Sequence, residues 1–238
     1  MKKYNVLNVP IWDISENEFL NFIKYAINSK MNTQQIATVN PEFICESEKN
    51  QEFKKLLNST ALNVADATGI IWAIKFLYKQ KIQKIPGSDI SWKIFKFAEQ
   101  NQYKIFLLGG MPNVAKKAAK KIIEKYPQIK IVGTSSKNPN DPETINIINK
   151  SRAEILFVAY GTPKQEFFIS QNLNKLNARI AIGVGGTFDF IAGIRKRAPK
   201  WVRKIGLEWL YRLFQEPKRF KRIYNAVIKF PYLVIKSK

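Results

Sequence analysis

One carboxylate stands out among the residues that could do chemistry. Asp66 follows the apolar run Leu-Asn-Val-Ala and precedes Ala-Thr-Gly, and the chain contains no histidine. Acid–base chemistry therefore falls to Asp, Glu, Lys or Tyr side chains, which makes Asp66 a candidate general base. An Asp at the end of a strand also commonly caps the next helix. Both interpretations stay open, because a capping carboxylate keeps one oxygen for a second partner.

Small and polar residues follow the other short apolar runs. Glycines at such turns let backbone N–H groups and helix N-termini approach phosphate, and ligands of parallel sheets bind beyond the carboxyl ends of the strands. The predicted substrate site combines Thr38, Asn40, Gly109, Gly110, Gly161, Thr162, Lys164, Gln165, Glu166, Gly185, Gly186 and Thr187. Gln165 and Glu166 are expected to contact sugar hydroxyls, because folding of their helix does not require them.

The segment Lys-Ile-Pro-Gly-Ser-Asp, residues 84–89, adds further candidates. Pro-Gly favours a turn, and Ser88 or Asp89 is expected to cap the following helix. This structural explanation is sufficient by itself, but Lys84 could also pair with a phosphate. We therefore add Lys84, Gly87, Ser88 and Asp89 to the predicted substrate site.

Several common classes of site are disfavoured. The stretch Gly-Val-Gly-Gly-Thr-Phe begins like a dinucleotide fingerprint, but Phe188 stands where the third glycine is needed, and the chain has no P-loop motif. Cys45 is the only cysteine, so no intrachain disulfide can form. The absence of histidine removes Ser-His-Asp triads and nearly every zinc site.

The elements that must position these residues alternate along the chain. Short apolar runs such as Gln-Gln-Ile-Ala-Thr-Val and Ile-Leu-Phe-Val-Ala read as buried strands, and segments with helical period lie between them. This pattern predicts an α/β fold: a Rossmann-like parallel sheet with helices on both faces. We expect this core to span residues 1–193 and to end near Ala192, followed by an appendage over 194–238.

The C-terminal segment carries much of the chain's positive charge. The formal net charge is +22, and residues 194–238 hold fourteen Lys or Arg against two Glu, a net of +12. Trp201, Ile205, Trp209 and Leu213 recur with helical period, so we expect basic amphipathic helices, broken at Pro217 and Pro231. The residues expected to contact an anionic membrane or a diphosphate are Arg195, Lys196, Arg197, Arg203, Arg212, Arg219 and Arg222.

Two partners could attract such a charge. Nucleic acid fits the charge equally well, but it offers the apolar stripe nothing to bury against, so a membrane surface is favoured. The N-terminus lacks the apolar region of a signal peptide, and the longest apolar runs are too short to cross a bilayer. We therefore expect a cytoplasmic protein whose membrane contact is peripheral, and the sequence leaves homo-oligomer formation open.

Six stretches of the chain resemble the WecG/TagA/CpsF family of bacterial glycosyltransferases. They are TVNPEF (38–43), VADATGIIWA (64–73), KIPGSD (84–89), FLLGG (106–110), GTPKQE (161–166) and the long block from residue 183 to 219. In two places the chain departs from the family pattern. The family usually has Asp-Gly where this chain has Asp66-Ala67, and Arg where it has Lys84, which lacks the bidentate geometry of a guanidinium.

The resemblance implies a fold, a reaction and roles for particular residues. It implies a Rossmann-like domain with a membrane-associating C-terminal appendage. It also implies transfer of an N-acetylmannosamine-type sugar, or a related hexose, from a UDP-sugar to a polyprenyl-diphosphate-linked GlcNAc, with inversion and with no metal or other cofactor. Asp66 aligns with the base, with Thr38 and Asn40 beside it, and Gln165 aligns with a substrate-contacting position. A nucleotide-sugar enzyme without a lipid acceptor and a nucleic-acid-binding protein remain the alternatives.

Overall fold

The computed structural model describes residues 2–199, 202, 208–215 and 220–238. Its centre is a parallel sheet of six strands in the order β4-β3-β8-β7-β5-β6. The strands are β3 (Gln34–Val39), β4 (Leu62–Ala65), β5 (Lys104–Gly109), β6 (Lys130–Ser135), β7 (Ile155–Ala159) and β8 (Ile180–Gly183). The predicted α/β class and Rossmann-like architecture are confirmed.

Helices cover both faces of this sheet. In chain order they are α1 (Glu16–Asn28), α2 (Pro41–Ser47), α3 (Gln51–Ser59), α4 (Thr68–Tyr78), α5 (Gly87–Asn101), α6 (Val114–Lys125), α7 (Glu143–Lys150), α8 (Lys164–Gln171) and α9 (Thr187–Ile191). Helix α1 begins with the expected capping box, in which the Glu18 N–H donates to Ser15 Oγ and the Ser15 N–H donates to Glu18 Oε2.

The core lies on both faces of the sheet. Ile36 packs in one apolar cluster with α1, α5 and α6, whereas its neighbour Ala37 packs in a second cluster with α2, α3 and α4. Successive side chains of a strand point to opposite faces. Both faces of the sheet are therefore covered and excluded from water, which explains why strands such as β7 read as continuous apolar runs rather than as alternating patterns.

The sequence did not predict the N-terminal hairpin formed by β1 (Lys2–Val6) and β2 (Val9–Asp13). Its turn, Leu7-Asn8, has positive φ angles of 50° and 66°, the backbone sign that a two-residue hairpin turn of type I′ requires. The hairpin lies beside β4 at the edge of the large sheet, where the Asn63 side chain donates to the Pro10 carbonyl over 3.0 Å. The hairpin thus covers an otherwise open strand edge.

The C-terminal segment contributes to the core. The described part forms α10 (Glu208–Gln215), α11 (Phe220–Tyr224), a π-helical turn (Asn225–Lys229) and α12 (Phe230–Lys236). Phe230 and Val234 are 1 % and 0 % exposed and pack with α2 and α4. The core therefore does not end near Ala192 as expected, and the division of the chain after residue 193 stays a prediction.

Pro231 does not break the helix, contrary to expectation. It occupies one of the first positions of α12, where no backbone N–H is needed. The π-helical turn precedes it, and the Phe230 N–H bonds to the Asn225 carbonyl five residues earlier. Pro217, Trp201 and Ile205 lie outside the described residues. No described helix has the length and apolar character needed to cross a membrane.

Candidate active site

Two cavities meet at the carboxyl edge of the sheet. We call the first the glycine cavity; it has a volume of 460 Å³ and is bordered by the turns after β5, β7 and β8. The second, the tail cavity, has a volume of 520 Å³ and lies between α4 and the C-terminal helices. Asn40, Asp66 and Ser88 belong to the walls of both. A group on one of these residues can therefore contact ligands in either cavity.

Asp66 is half-buried at this junction. Its backbone N–H donates to the Val39 carbonyl, and its Oδ1 accepts the Gly87 N–H over 2.6 Å. The residue at the cap position of α4 is Ala67, without a side-chain cap bond, so the interpretation of Asp66 as the cap of that helix is wrong. The carboxylate instead holds the first residue of α5.

The predicted cap of α5 was also misplaced. Pro86 occupies that position, so Ser88 and Asp89 lie inside the first turn of the helix rather than before it. Ser88 lines both cavities, and Asp89 and Lys84 line the tail cavity. Gly87 lines the glycine cavity, as predicted. The candidates of the 84–89 segment therefore line the two cavities, although neither Ser88 nor Asp89 caps α5 as expected.

Thr38 and Asn40 enter the site from the end of β3. Asn40 Oδ1 caps α2 by accepting the backbone N–H groups of Glu42 and Phe43 at 2.9 and 3.3 Å. Its amide NH₂ is consequently the group with which Asn40 can contact a ligand. Thr38 is buried beneath Gly87 and lines the glycine cavity. Both residues share the wall of the glycine cavity with Asp66, and their role in binding substrate stays a prediction.

Most of the predicted glycine-turn residues line the glycine cavity. They are Gly110, Gly161, Thr162, Gly185, Gly186 and Thr187. Gly109 does not line it, contrary to prediction. It is the last residue of β5, with φ of 98°, and a Cβ there would lie 2.8 Å from the Ala159 carbonyl carbon. Gly109 is therefore required by close packing of β5 on β7 and not by a ligand.

Gln165 has an internal role that the sequence did not predict, and its predicted contact with substrate stays a prediction. It borders the glycine cavity but is only 2 % exposed. Its Oε1 accepts the Gly161 N–H at 3.2 Å and the Gly185 N–H at 3.0 Å, and its Nε2 donates to Glu166 Oε1 at 2.6 Å. One amide thus joins the turn after β7 to the turn after β8. The expectation that Gln165 is not needed for folding is wrong.

Glu166 and Lys164 do not belong to the cavity walls. Glu166 is 1 % exposed, and burial raises the pKa of its carboxyl to about 7, against a lowering effect of the bond from Gln165. Its Oε2 has no hydrogen-bond partner among the described residues. Lys164 is exposed away from both cavities. Both side chains were predicted to bind substrate, and both lie elsewhere because successive helical residues point about 100° apart.

The Gln165–Glu166 pair explains a glycine inside β8. A Cβ on Gly183 would lie 2.6 Å from Gln165 Nε2 and 2.7 Å from Glu166 Oε1. Any larger residue would push the pair away from the sheet. This glycine, which the sequence suggested as part of a failed dinucleotide fingerprint, therefore makes room for a hydrogen-bonded pair behind the cavity.

Three of the predicted basic residues reach the cavities and pair with acidic side chains there. Arg197 binds Asp89 through two bonds of 2.5 and 2.9 Å, Arg222 binds Glu42, and Arg195 lies 3.5 Å from Asp189. Arg197 borders the tail cavity, whereas Arg195 and Arg222 border the glycine cavity. Lys196 is exposed. Arg203, Arg219 and the side chain of Arg212 lie outside the described residues.

A sequence model of the Glycosyl transferase WecG/TagA/CpsF family matches residues 4–238. The chain belongs to this family. Two relatives carry the name N-acetylglucosaminyldiphosphoundecaprenol N-acetyl-beta-D-mannosaminyltransferase. The one from Bacillus subtilis (strain 168) is 30 % identical over 100 % of this chain and 93 % of its own length. The one from Staphylococcus aureus (strain MRSA252) is 31 % identical over 99 % of this chain and 93 % of its own length.

The tail cavity of this glycosyltransferase has an apolar wall that the sequence analysis did not assign to the site. It includes Trp72 from α4 and, from the C-terminal helices, Trp209, Ile223, Val227, Phe230 and Pro231. Phe220, Ile223, Tyr224 and Val227 recur with helical period in the sequence, which predicts one apolar stripe. The structure divides this stripe, because Phe220 and Tyr224 are exposed while Ile223 and Val227 line the cavity.

Proposed function

We propose that the protein transfers an N-acetylmannosamine-type sugar from a UDP-sugar to GlcNAc-diphosphoundecaprenol, with inversion at the anomeric carbon. The acceptor and the sugar are those in the names of its relatives from Bacillus subtilis and Staphylococcus aureus. The observation that carries the proposal is the position of Asp66 in the wall shared by the two cavities. A carboxylate there can contact a donor in one cavity and an acceptor hydroxyl in the other.

The glycine cavity is suited to the UDP part of the donor. Arg195 and Arg222 border it, each beside a carboxylate, Asp189 and Glu42 respectively. A guanidinium has five N–H donors, so each arginine can keep its carboxylate partner and still bind a phosphate oxygen. The N–H groups of Gly110, Gly161 and Gly185 are bonded within the protein, so these turns shape the cavity and the arginines supply the donors. The arginines compensate the charge that develops on the departing diphosphate, and we propose that transfer needs no metal ion.

The proposed reaction is a single displacement. The Asp66 carboxylate accepts the proton of an acceptor-sugar hydroxyl as that oxygen attacks the anomeric carbon. The bond from this carbon to the UDP oxygen breaks, and its electron pair leaves with UDP. Attack from the side opposite UDP inverts the configuration. The Gly87 N–H bond to Asp66 Oδ1 fixes the orientation of the carboxylate.

Asp66→Asn tests this role while keeping an acceptor for the Gly87 N–H. We expect kcat for UDP release, with UDP-N-acetylmannosamine and a soluble prenyl-diphosphate-GlcNAc, to fall by about 10² to 10⁴. Asp141→Asn is the matched control, since Asp141 pairs with Lys137 away from both cavities, and it should keep wild-type rates. Equal rates for Asp66→Asn and wild type would refute the proposed base. A parallel assay in EDTA should give the rate found in Mg²⁺.

We further propose that the C-terminal helices contact the cytoplasmic face of the membrane. Phe214, Phe220, Tyr224, Tyr232 and Ile235 are all at least half exposed. They lie among exposed basic residues such as Lys221, Lys236 and Lys238. Apolar and basic side chains together are what an interfacial helix needs, and each Lys or Arg near an anionic leaflet contributes about 1 kcal/mol.

Vesicle sedimentation tests the membrane contact. Vesicles containing phosphatidylglycerol should retain the wild-type protein, and the double variant Phe220→Ser, Tyr224→Ser should bind them at least tenfold more weakly. Ile123→Ser is the control, because Ile123 is an exposed residue of α6. Binding to an oligonucleotide that exceeds binding to the vesicles, with no loss in the double variant, would contradict the proposal and favour nucleic acid.

A further inference from the structure

We propose that the tail cavity binds the first isoprene units of the lipid acceptor, directly behind its diphosphate. This inference rests on the proposed function, which supplies the acceptor but says nothing about where its hydrocarbon chain lies. An enzyme could leave that chain entirely in the membrane. The composition of the cavity wall argues instead for a protein site that holds its beginning.

The wall of the tail cavity combines the two chemistries of a prenyl diphosphate. Its basic residues are Lys84 and Arg197, and its acidic residues are Asp66, Asp89, which binds Arg197, and Glu42, which binds Arg222. The Arg197 Nε is buried and has no hydrogen-bond partner among the described residues, although its other nitrogens bind Asp89. A buried N–H without a partner is unfavourable, and a phosphate oxygen could serve as its acceptor.

The rest of the wall is apolar and comes from two elements. Trp72 lies one turn further along α4 than Gly69, and Ile223, Val227, Phe230 and Pro231 face it from the C-terminal helices. A diphosphate or a sugar gains nothing from such a surface. An isoprenoid chain attached to the diphosphate does, because burial of its methyl and methylene groups removes them from water.

The size of the cavity limits how much of the lipid it can hold. Cavities of about 300–1,000 Å³ bury most of a drug-sized ligand, and this one has 520 Å³. That volume accommodates a diphosphate with a few isoprene units, not an undecaprenyl chain. The remaining chain would pass to the membrane beside the exposed side chains of α11 and α12. The site therefore binds the first units of the isoprenoid chain and does not distinguish longer from shorter isoprenoids.

A matched pair of isoleucine variants tests the site without any membrane. Ile223 lines the tail cavity, whereas Ile228 in the same segment is 55 % exposed and lines neither cavity. The acceptors are GlcNAc-diphosphate carrying either a ten-carbon prenyl group or a methyl group, both without vesicles. We expect Ile223→Ala to raise KM about tenfold for the prenyl acceptor, with KM for the methyl acceptor unchanged. Ile228→Ala should change neither.

The same assay contains the outcome that overturns the inference. If Ile223→Ala raises KM equally for both acceptors, the residue supports the fold of the site and does not bind the chain. If it changes neither value, the chain lies elsewhere. The variant Ala226→Phe, which fills the cavity from its wall, should discriminate against the prenyl acceptor in the same direction as Ile223→Ala.

A binding measurement separates this inference from the proposed reaction. Geranyl diphosphate should quench tryptophan fluorescence and bind about tenfold more tightly than inorganic diphosphate. Because Trp72 and Trp209 both line the cavity, the double variant Trp72→Phe, Trp209→Phe should remove much of the signal. This holds even if the protein transfers no sugar to any acceptor, in which case only the proposed function fails. Equal affinities for the two diphosphates would overturn the inference whether or not transfer occurs.

Discussion

Replacement of Gln165 by Met tests whether this residue holds the site together or binds substrate. Methionine has a similar length and flexibility, but it offers no equivalent hydrogen bonds. The variant removes the acceptor for the N–H groups of Gly161 and Gly185 and the donor to Glu166. All three bonds are internal to the protein, so their loss should appear in the stability of the free protein.

The expected loss follows from the environment of each bond. The two backbone bonds contribute about 1 kcal/mol each, and the bond to the Glu166 carboxyl, which is partly ionised at pH 7, contributes about 1–3 kcal/mol. The glycine N–H groups border a cavity, where water can replace the lost acceptor. Glu166 is wholly buried and has no such replacement. We therefore expect the free energy of unfolding to fall by about 2–3 kcal/mol.

Urea denaturation at pH 7, followed by circular dichroism, measures this change through the midpoint at constant slope. Gln171→Met is the matched control, because Gln171 is an exposed residue at the end of the same helix, and its effect should stay within about 0.5 kcal/mol. A loss below about 0.5 kcal/mol for Gln165→Met would refute the bridging role. Gln165 would then be a substrate contact, as the sequence alone suggested.

Three further predictions concern the same core and the C-terminal helix. The raised pKa of Glu166 means that the native state binds one more proton than the unfolded state between pH 4.5 and about 7, so the free energy of unfolding should fall as pH rises across this window. In urea titrations, the free energy of unfolding of Glu166→Gln should therefore rise by about 3 kcal/mol relative to wild type from pH 4.5 to 7.5. A difference between the two proteins that does not change with pH would contradict this. Phe230→Ala should lower the free energy of unfolding by about 3–5 kcal/mol, whereas Tyr232→Ala, at an exposed position, should lower it by under about 0.5 kcal/mol. Small losses for both variants would mean that the C-terminal segment folds independently of the core. Gly183→Ala should cost about 1–3 kcal/mol by overpacking, whereas Gly186→Ala, whose Cβ would meet nothing closer than 3.5 Å, should unfold at nearly the wild-type urea concentration.

The sheet was predictable because five of its six strands are buried on both faces. A continuous apolar run bounded by turn residues marks such a strand directly, whereas the edge strand β6 contains no buried residue and carries a weaker signal. The N-terminal hairpin was missed because its turn is Leu7-Asn8 and not Asn-Gly or Asp-Gly. Its strands also alternate only weakly, since they pack on the sheet edge rather than form a layer of their own.

The site was predictable in position but not in the role of each side chain. Strand ends determine which turns share an edge, so Asp66, Asn40 and Gly185 were correctly brought together. Sequence does not say whether a polar residue of a helix points into the cavity or into the protein interior when both environments offer hydrogen-bond partners. Glu166 and Gln165 were therefore assigned to substrate, although they form a buried pair. The wall contributed by Ile223 and Val227 depended on a tertiary contact that no local pattern specifies.

The common wall of the two cavities has a kinetic consequence. Because Asp66 is accessible from both cavities, the proposed reaction needs no covalent sugar–protein intermediate. Donor and acceptor must therefore be bound at the same time. Initial velocities measured over a grid of both concentrations should therefore give double-reciprocal lines that intersect rather than run parallel. UDP should not be released in a burst when the acceptor is withheld. The wall shared at Asn40, Asp66 and Ser88 therefore favours a ternary complex as the reacting species of the proposed single displacement.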